Sequence, residues 1–385
     1  MLEIINNLDN CLGCSACKAI CPVACIEMRP SDEGFLQPCV DGERCIDCNK
    51  CALICPALNS DSVQSIKGIY YGWNKDENIR LSSSSGGVFS AIAEKVLSTN
   101  GVVFGAVFDS KLGKVVHISS DEIDYRRQRK SKYVESDLRD TFSGARKLLD
   151  SNRLVLFSGT PCQIHGLRKY LDKSYDNLIA CDFICHGVPP MKLLNEHMTF
   201  LEGKFKSKIS DIDFRPKTFG WSSYTLKVNF QNNKKYIVPL QFEPYLDGFI
   251  NKNIFLKKTC YTCKFRNNHA SDIILADFWG IQTYKPEIND EKGMSIIFIN
   301  SPKGQFIIND INDKLILFPL EEKYTSYCFT ERDPIKYNLQ KRSAFFEEYY
   351  RSGYKTAFRK FIKVGGLKAK LKFNIKGALQ KIGVR

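Results

Sequence analysis

The chain has no run of about eighteen consecutive apolar residues anywhere in its 385 positions, and without one no helix is expected to cross a bilayer. Its opening, MLEIINNLDNCLGC, lacks the basic segment followed by an apolar stretch that export demands, so a cytoplasmic location is expected. Acidic side chains are missing from residues 351–385, which carry eleven Lys or Arg. No recognised nucleic-acid motif is present and aromatics are not interleaved with that basic run, which argues against RNA or DNA as the partner. Internal repetition is absent beyond residue 56. The remainder is ordinary: 43% hydrophobic and 25% charged residues mark a globular chain, long enough for one large unit with at least one small appendage.

Cysteine is the exception, with ten of the sixteen inside residues 11–55. They include two copies of C-x-x-C-x-x-C-x-x-x-C-P, namely Cys11, Cys14, Cys17, Cys21 and Pro22, then Cys45, Cys48, Cys51, Cys55 and Pro56. In a reducing compartment such spacing points to metal rather than to disulfides. This run is the bacterial iron–sulfur signature, in which the fourth cysteine of each copy ligates the other cluster. A loop wrapped round a cubane supplies three thiolates at two-residue intervals, and the fourth must arrive from another direction. One cluster is therefore expected on Cys11, Cys14, Cys17 and Cys55, the second on Cys45, Cys48, Cys51 and Cys21. Small residues Gly13, Ser15 and Ala16 let main-chain amides approach the first. Structural zinc is the alternative, although zinc sites usually come as separated C-x-x-C pairs. Cys25 and Cys39 fall outside the pattern and read as core thiols. The module, residues 1–60, resembles a two-cluster bacterial ferredoxin and is small enough to depend on its metal centres for stability. A polar stretch, ALNSDSVQS at 57–65, reads as a linker.

Residues 61–340 alternate helix-like and strand-like segments, which predicts a larger mixed α/β domain with helices packed on a sheet; the chain as a whole is thus α+β or α/β. SSSSGGVFSAIAEKVL predicts loop then helix, VVFGAVF a strand, SDLRDTFSGARKLLDSN a helix capped by Asp137, RLVLFSG a buried strand and TPCQIHGLRKYL a helix. NLIACDFICHG and PPMKLLNEHMTFL repeat strand then helix, while SYTLKVNF and KKYIVPL suggest an antiparallel addition. Three places look chemical. Glycines at the helix start in SSSSGG leave amides that could face a phosphate, a plain serine cap being the alternative. FSGTPCQ places Thr160 and Cys162 at a strand's C-terminal end, where open α/β sheets bind ligands and where a helix N-terminus favours thiolate; an inert buried cysteine is the other reading. Finally, Cys162, Cys185, Cys260 and Cys263, with Cys181 nearby, could gather into a third cluster, or Cys260 and Cys263 could form a zinc knuckle or a simple turn.

SSGGVFSAIAEKVL, SKYVESDL, VLFSGTPCQIHGLRKYL, DFICHGVPP and CYTCKFRNNHASDIILADFWG, in this order, resemble the coenzyme F-420 hydrogenase/dehydrogenase β-subunit family over about residues 65–300. The resemblance implies FAD as well as iron–sulfur clusters, with a flavin site near Ser85, Gly86, Gly87 and the turn Gly159, Thr160, Pro161 and Gln163. It also favours the third cluster on the large-domain cysteines. Ala276 stands where relatives commonly have glycine. A ferredoxin prefix is typical of bacterial relatives that need not use deazaflavin and are often encoded among surface-polysaccharide genes, which suggests a sugar-derived acceptor. No catalytic residue is legible: His186 is a candidate acid, although a histidine in such a place is more often structural.

In the tail, residues 341–385, Leu367, Leu371, Ile375, Ala378, Leu379 and Ile382 recur at helical spacing among lysines. A basic amphipathic helix of this kind would bind an anionic membrane surface, placing the protein at the inner face of the cytoplasmic membrane, or would pack on the domain. Three functions fit the sequence. One is a flavin-dependent iron–sulfur oxidoreductase exchanging electrons with a redox partner protein or a small-molecule donor or acceptor; another is a non-catalytic electron-transfer subunit. The third is a membrane- or RNA-binding protein with structural or sensory clusters.

Overall fold

The computed structural model describes residues 10–59, 66–326, 328 and 339–366. Near the start, β1 (Ile26–Pro30) and β2 (Leu36–Val40) form an antiparallel hairpin flanked by the short helices Ala16–Ile20 and Lys50–Leu53, which grow out of the two cysteine cassettes. This is the ferredoxin-like module. The chain then lays down β3 (Gly68–Asn74), β4 (Val102–Asp109), β5 (Lys114–Ser119), β6 (Val155–Ser158) and β7 (Leu178–Phe183) of an eight-stranded sheet. It leaves to build a separate three-stranded antiparallel sheet from β8 (Ile209–Asp213), β9 (Thr225–Phe230) and β10 (Lys235–Pro239). It returns with β11 (Ile273–Asp277), β12 (Ser295–Ile299) and β13 (Leu315–Pro319). The large sheet runs β13-β3-β12-β11-β7-β6-β4-β5, with β4, β6, β7 and β11 parallel in its middle.

Helices cover both faces: α1 (Val88–Ser98), α2 (Thr141–Asp150), α3 (Pro161–Leu171), α4 (Met191–Phe205), α5 (Pro302–Asp310) and α6 (Leu339–Phe361). Alternate residues of each central strand point to opposite faces, so a doubly covered strand reads as an unbroken apolar run. Val155, Phe157, Leu178 and Ala180 pack with α2, α3 and the first cassette, whereas Leu156, Ile179 and Cys181 pack with α1 and α5. Cys181 is thus a core residue of the second layer.

Two expectations shift. The helix after residue 136 begins at Thr141 with Asp140 as its N-cap, because Asp137 instead pairs with Lys114 and accepts from the Arg139 amide. The antiparallel strands form their own sheet rather than extending the main one. Residues of the expected basic tail up to Phe361 lie in α6, whose Phe345, Phe346, Tyr349 and Phe358 enter a core shared with α4 and β9, so this part of 341–385 is not a free tail. The amphipathic repeat from Leu367 onward and linker residues 60–65 lie outside the described residues. Among the described residues no helix is long and apolar enough to cross a membrane.

Candidate functional site

Two groups of thiols and one large cavity lie where the ferredoxin-like module meets the C-terminal ends of the parallel strands, and another group of thiols lies within the module itself. In the first group, Cys11 feels charge on Cys55, Cys14 that on Cys17 and Cys11, and Cys17 that on Cys11 and Cys55; burial above all, then this crowding, pushes the Cys14 and Cys17 thiols up. The helix α3 leaves room for them at Gly166, where an added Cβ would stand 3.0 Å from the Cys14 sulfur. In the second group, Cys21, Cys45, Cys48 and Cys51 line a small space of about 30 Å³. Cys25 lines it too, its sulfur 3.4 Å from that of Cys21, so it is a fifth thiol of this group rather than a detached core residue. Cys39 lies in β2, half-buried.

The third group assembles from three segments: Cys162 in the first turn of α3, Cys185 just beyond β7, and Cys260 with Cys263 in the loop before β11. Burial first, then charge on Cys263, pushes Cys162 up to about 11 and Cys260 up to about 12. Cys185 is raised by burial and then by Cys260, Cys162 and Cys263. At Cys162 burial therefore outweighs the helix N-terminus, in line with the buried-thiol reading of the two left open by the sequence. A cationic centre bound among such thiols would reverse the shift, since metal ligation deprotonates cysteine. Cys14 feels Cys162, so the first and third groups adjoin. Among the described residues no three His, Cys, Asp or Glu side chains close on one point tightly enough for a single ion. A zinc site needs sulfurs about 2.3 Å from one metal.

The cavity, about 640 Å³, opens where β6, β7 and β11 end. That position is where open α/β sheets take ligands, and its size falls in the ordinary range for a cofactor pocket, roughly 300–1,000 Å³. Ser85, Gly87, Gly159, Thr160 and Gln163 line it, together with Cys162 and Cys185. Thr160 and Gln163 form a capping box on α3, the Thr160 amide donating to Gln163 Oε1 at 2.9 Å, which fixes the turn. Two expected residues stand behind the wall. Gly86 donates its amide to Ser295 Oγ at 2.9 Å, so that amide is not available to an anion, and Pro161 is buried as the first residue of α3. His186 sits at the rim, Nε2 2.5 Å from Asn253 Oδ1.

Residues that the motif reading passed over form the rest of the wall. Arg129, Lys130 and Lys132 come from RRQRKSK at 126–132, a basic run visible in the sequence, and Ser131 donates its amide to Ser84 Oγ at 2.9 Å, joining this run to the serine loop. Lys132 donates to the carbonyls of Arg129, Arg127 and Lys130 at 2.6, 2.9 and 3.1 Å, and burial pushes its ammonium down to about 7. Behind the wall, Lys217 behaves alike, donating to the Arg80 and Ser85 carbonyls at 2.6 and 2.7 Å, with burial again lowering it to about 7. Arg80, Arg129 and Lys130 are paired with Asp290, Glu94 and Asp213. Arg129, Lys130 and Lys132 thus bring basic side chains to this end of the cavity. The wall also includes Tyr224 and Trp279, stacked with ring centres 5.3 Å apart, and Asp277, held 3.1 Å from the buried Arg215.

A doubled cysteine module seated on an α/β domain defines a class, the iron–sulfur electron-transfer proteins; residues 10–59 match the 4Fe-4S dicluster domain. The chain belongs to the coenzyme F420 hydrogenase/dehydrogenase β-subunit family, whose N-terminal and C-terminal models match residues 69–140 and 152–323. Among solved structures it is similar to a chain of the F420-reducing [NiFe] hydrogenase complex from Methanosarcina barkeri, at 15% identity over 76% of this chain and 96% of that one, with a TM-score of 0.46. A comparison with curated proteins finds no match.

Proposed function

We propose that the protein is an FAD-dependent iron–sulfur oxidoreductase in which three clusters lead to a flavin in the large cavity. The observation that carries this reading is the meeting of Cys162, Cys185, Cys260 and Cys263 beside the first cassette on one side and the cavity on the other. On this reading Cys45, Cys48, Cys51 and Cys21 hold the outer cluster, Cys11, Cys14, Cys17 and Cys55 the middle one, and the large-domain cysteines the inner one. Clusters exchange single electrons and a flavin exchanges two, which is the chemistry these groups supply when bound. The chain's part is to hold them in series. Ser85, Gly87 and the 129–132 loop bind the phosphates; Tyr224 and Trp279 supply aromatic wall; Cys162 and Cys185 keep the inner cluster at the cavity wall. The candidate acceptor is a small molecule reaching that cavity, with a sugar-derived intermediate the suggestion of the family resemblance.

Anaerobic reconstitution with iron, sulfide and FAD tests it, about twelve iron and one flavin per chain being expected. Two clusters without flavin would sink it. A second reading, an electron-transfer subunit serving another enzyme, is favoured by the exposed Ile46, Leu53 and Leu58 around exposed Cys48. Stoichiometric capture of a partner with no turnover by the chain alone would select it.

A further inference from the structure

The contact between the first cassette and the third thiol group is made by a buried ion pair. Lys257 Nζ stands 2.6 Å from Glu135 Oε1, and both side chains are under 10% exposed. Each also grips the small module at one residue: Lys257 donates to the Leu36 carbonyl at 3.0 Å, and Glu135 accepts from the Leu36 amide at 2.7 Å. Gly13, between Cys11 and Cys14, has φ +71°, and a Cβ there would lie 2.5 Å from the carboxylate and 2.6 Å from the ammonium. The pair is built on the same loops as the inner thiols, since Lys257 donates its amide to the Val188 carbonyl and leads into Cys260, while Glu135 donates its own to Pro189.

Two apolar side chains would dock the module without the desolvation that a buried ion pair costs, and such pairs add little to stability. A fixed charge at this point has a different use. The pair lies against Gly13, between Cys11 and Cys14, and Lys257 stands three residues before Cys260, so its charges fall between the two thiol groups. We infer that Lys257 and Glu135 are positioning residues that set the relative potentials of the middle and inner clusters and so govern the electron step between them. That step oxidises one cluster and reduces the other by one electron, with no bond made or broken. The inference rests on the functional reading above.

The test is an anaerobic, EPR-monitored reductive titration of the whole protein as wild type, Lys257→Met, Glu135→Gln and the double variant, with iron counted in each. Loss of the positive charge disfavours the reduced clusters and loss of the negative charge favours them. At a fixed potential the reduced-to-oxidised ratio should fall roughly tenfold in Lys257→Met and rise comparably in Glu135→Gln, as a nearby unit charge acts through an effective dielectric of about 20. The double variant should return toward wild type. Shifts of the same sign in both single variants, no shift with iron retained, or loss of iron from both would reduce the pair to a docking clamp and overturn the inference. A wild type holding only about eight iron would instead overturn the functional reading, whatever the variants do.

Discussion

At the scale of single residues, the thiols give the most direct predictions. Cys14→Ala and Cys48→Ala should each lose about four iron and the matching visible absorption, because each removes a direct ligand of a different cluster; iron unchanged in both would refute the assignment. Lys132 predicts a pH effect. An unfolded lysine titrates near ~10.4, whereas burial holds this one at about 7. Between those values the unfolded chain binds the extra proton, so the lysine's contribution to stability rises with pH through that window and is level below it. The unfolding free energy of wild type minus that of Lys132→Met should therefore grow from pH 7 to pH 9 in denaturant titrations, and a constant difference would contradict the burial argument. The cysteine spacing was legible because ligation demands it within a few residues. Lys132 was not: RRQRKSK reads as a solvated charge run until folding turns three of its carbonyls onto one ammonium.

At the scale of elements, most helices and strands of the large domain follow from periodicity and caps, since a strand covered on both faces must be apolar throughout. Leu156, wholly buried in β6, tests that layer: Leu156→Ala should cost about 2–5 kcal/mol, read from chemical denaturation. The start of α2 was misplaced because Asp137 and Asp140 are equally good caps in sequence, and only the tertiary pairing of Asp137 with Lys114 decides between them. Thr160 joins this scale to the site. Thr160→Ala removes one half of the α3 capping box and should cost about 1 kcal/mol. It should also weaken FAD retention, measured as flavin per chain after gel filtration, because the same turn lines the cavity. A stable variant with full flavin content would separate the cap from the pocket.

At the scale of the whole molecule, little of the arrangement could be read beforehand, because the contacts that seat the small module join residues far apart in the chain. Arg342 reaches Glu33 across 309 positions, and Lys18 reaches Asp140 across 122. Their outcome is a polarity: the first cassette is covered by α3, while the second faces solvent with Cys48, Ile46 and Leu53 exposed. Electron exchange with a protein partner should therefore occur at the second cassette, where an apolar rim surrounds the outer thiols. Leu53→Glu and Ile46→Glu place charge in that rim without touching a thiol. Stopped-flow reduction by a protein donor should slow roughly tenfold in the double variant, as expected when a central apolar anchor is lost, while a small viologen, which needs no docking surface, should reduce it at the wild-type rate. Equal slowing with both donors would mean that the substitutions had damaged the cluster itself. An unchanged rate with the protein donor would move the entry point elsewhere on the surface.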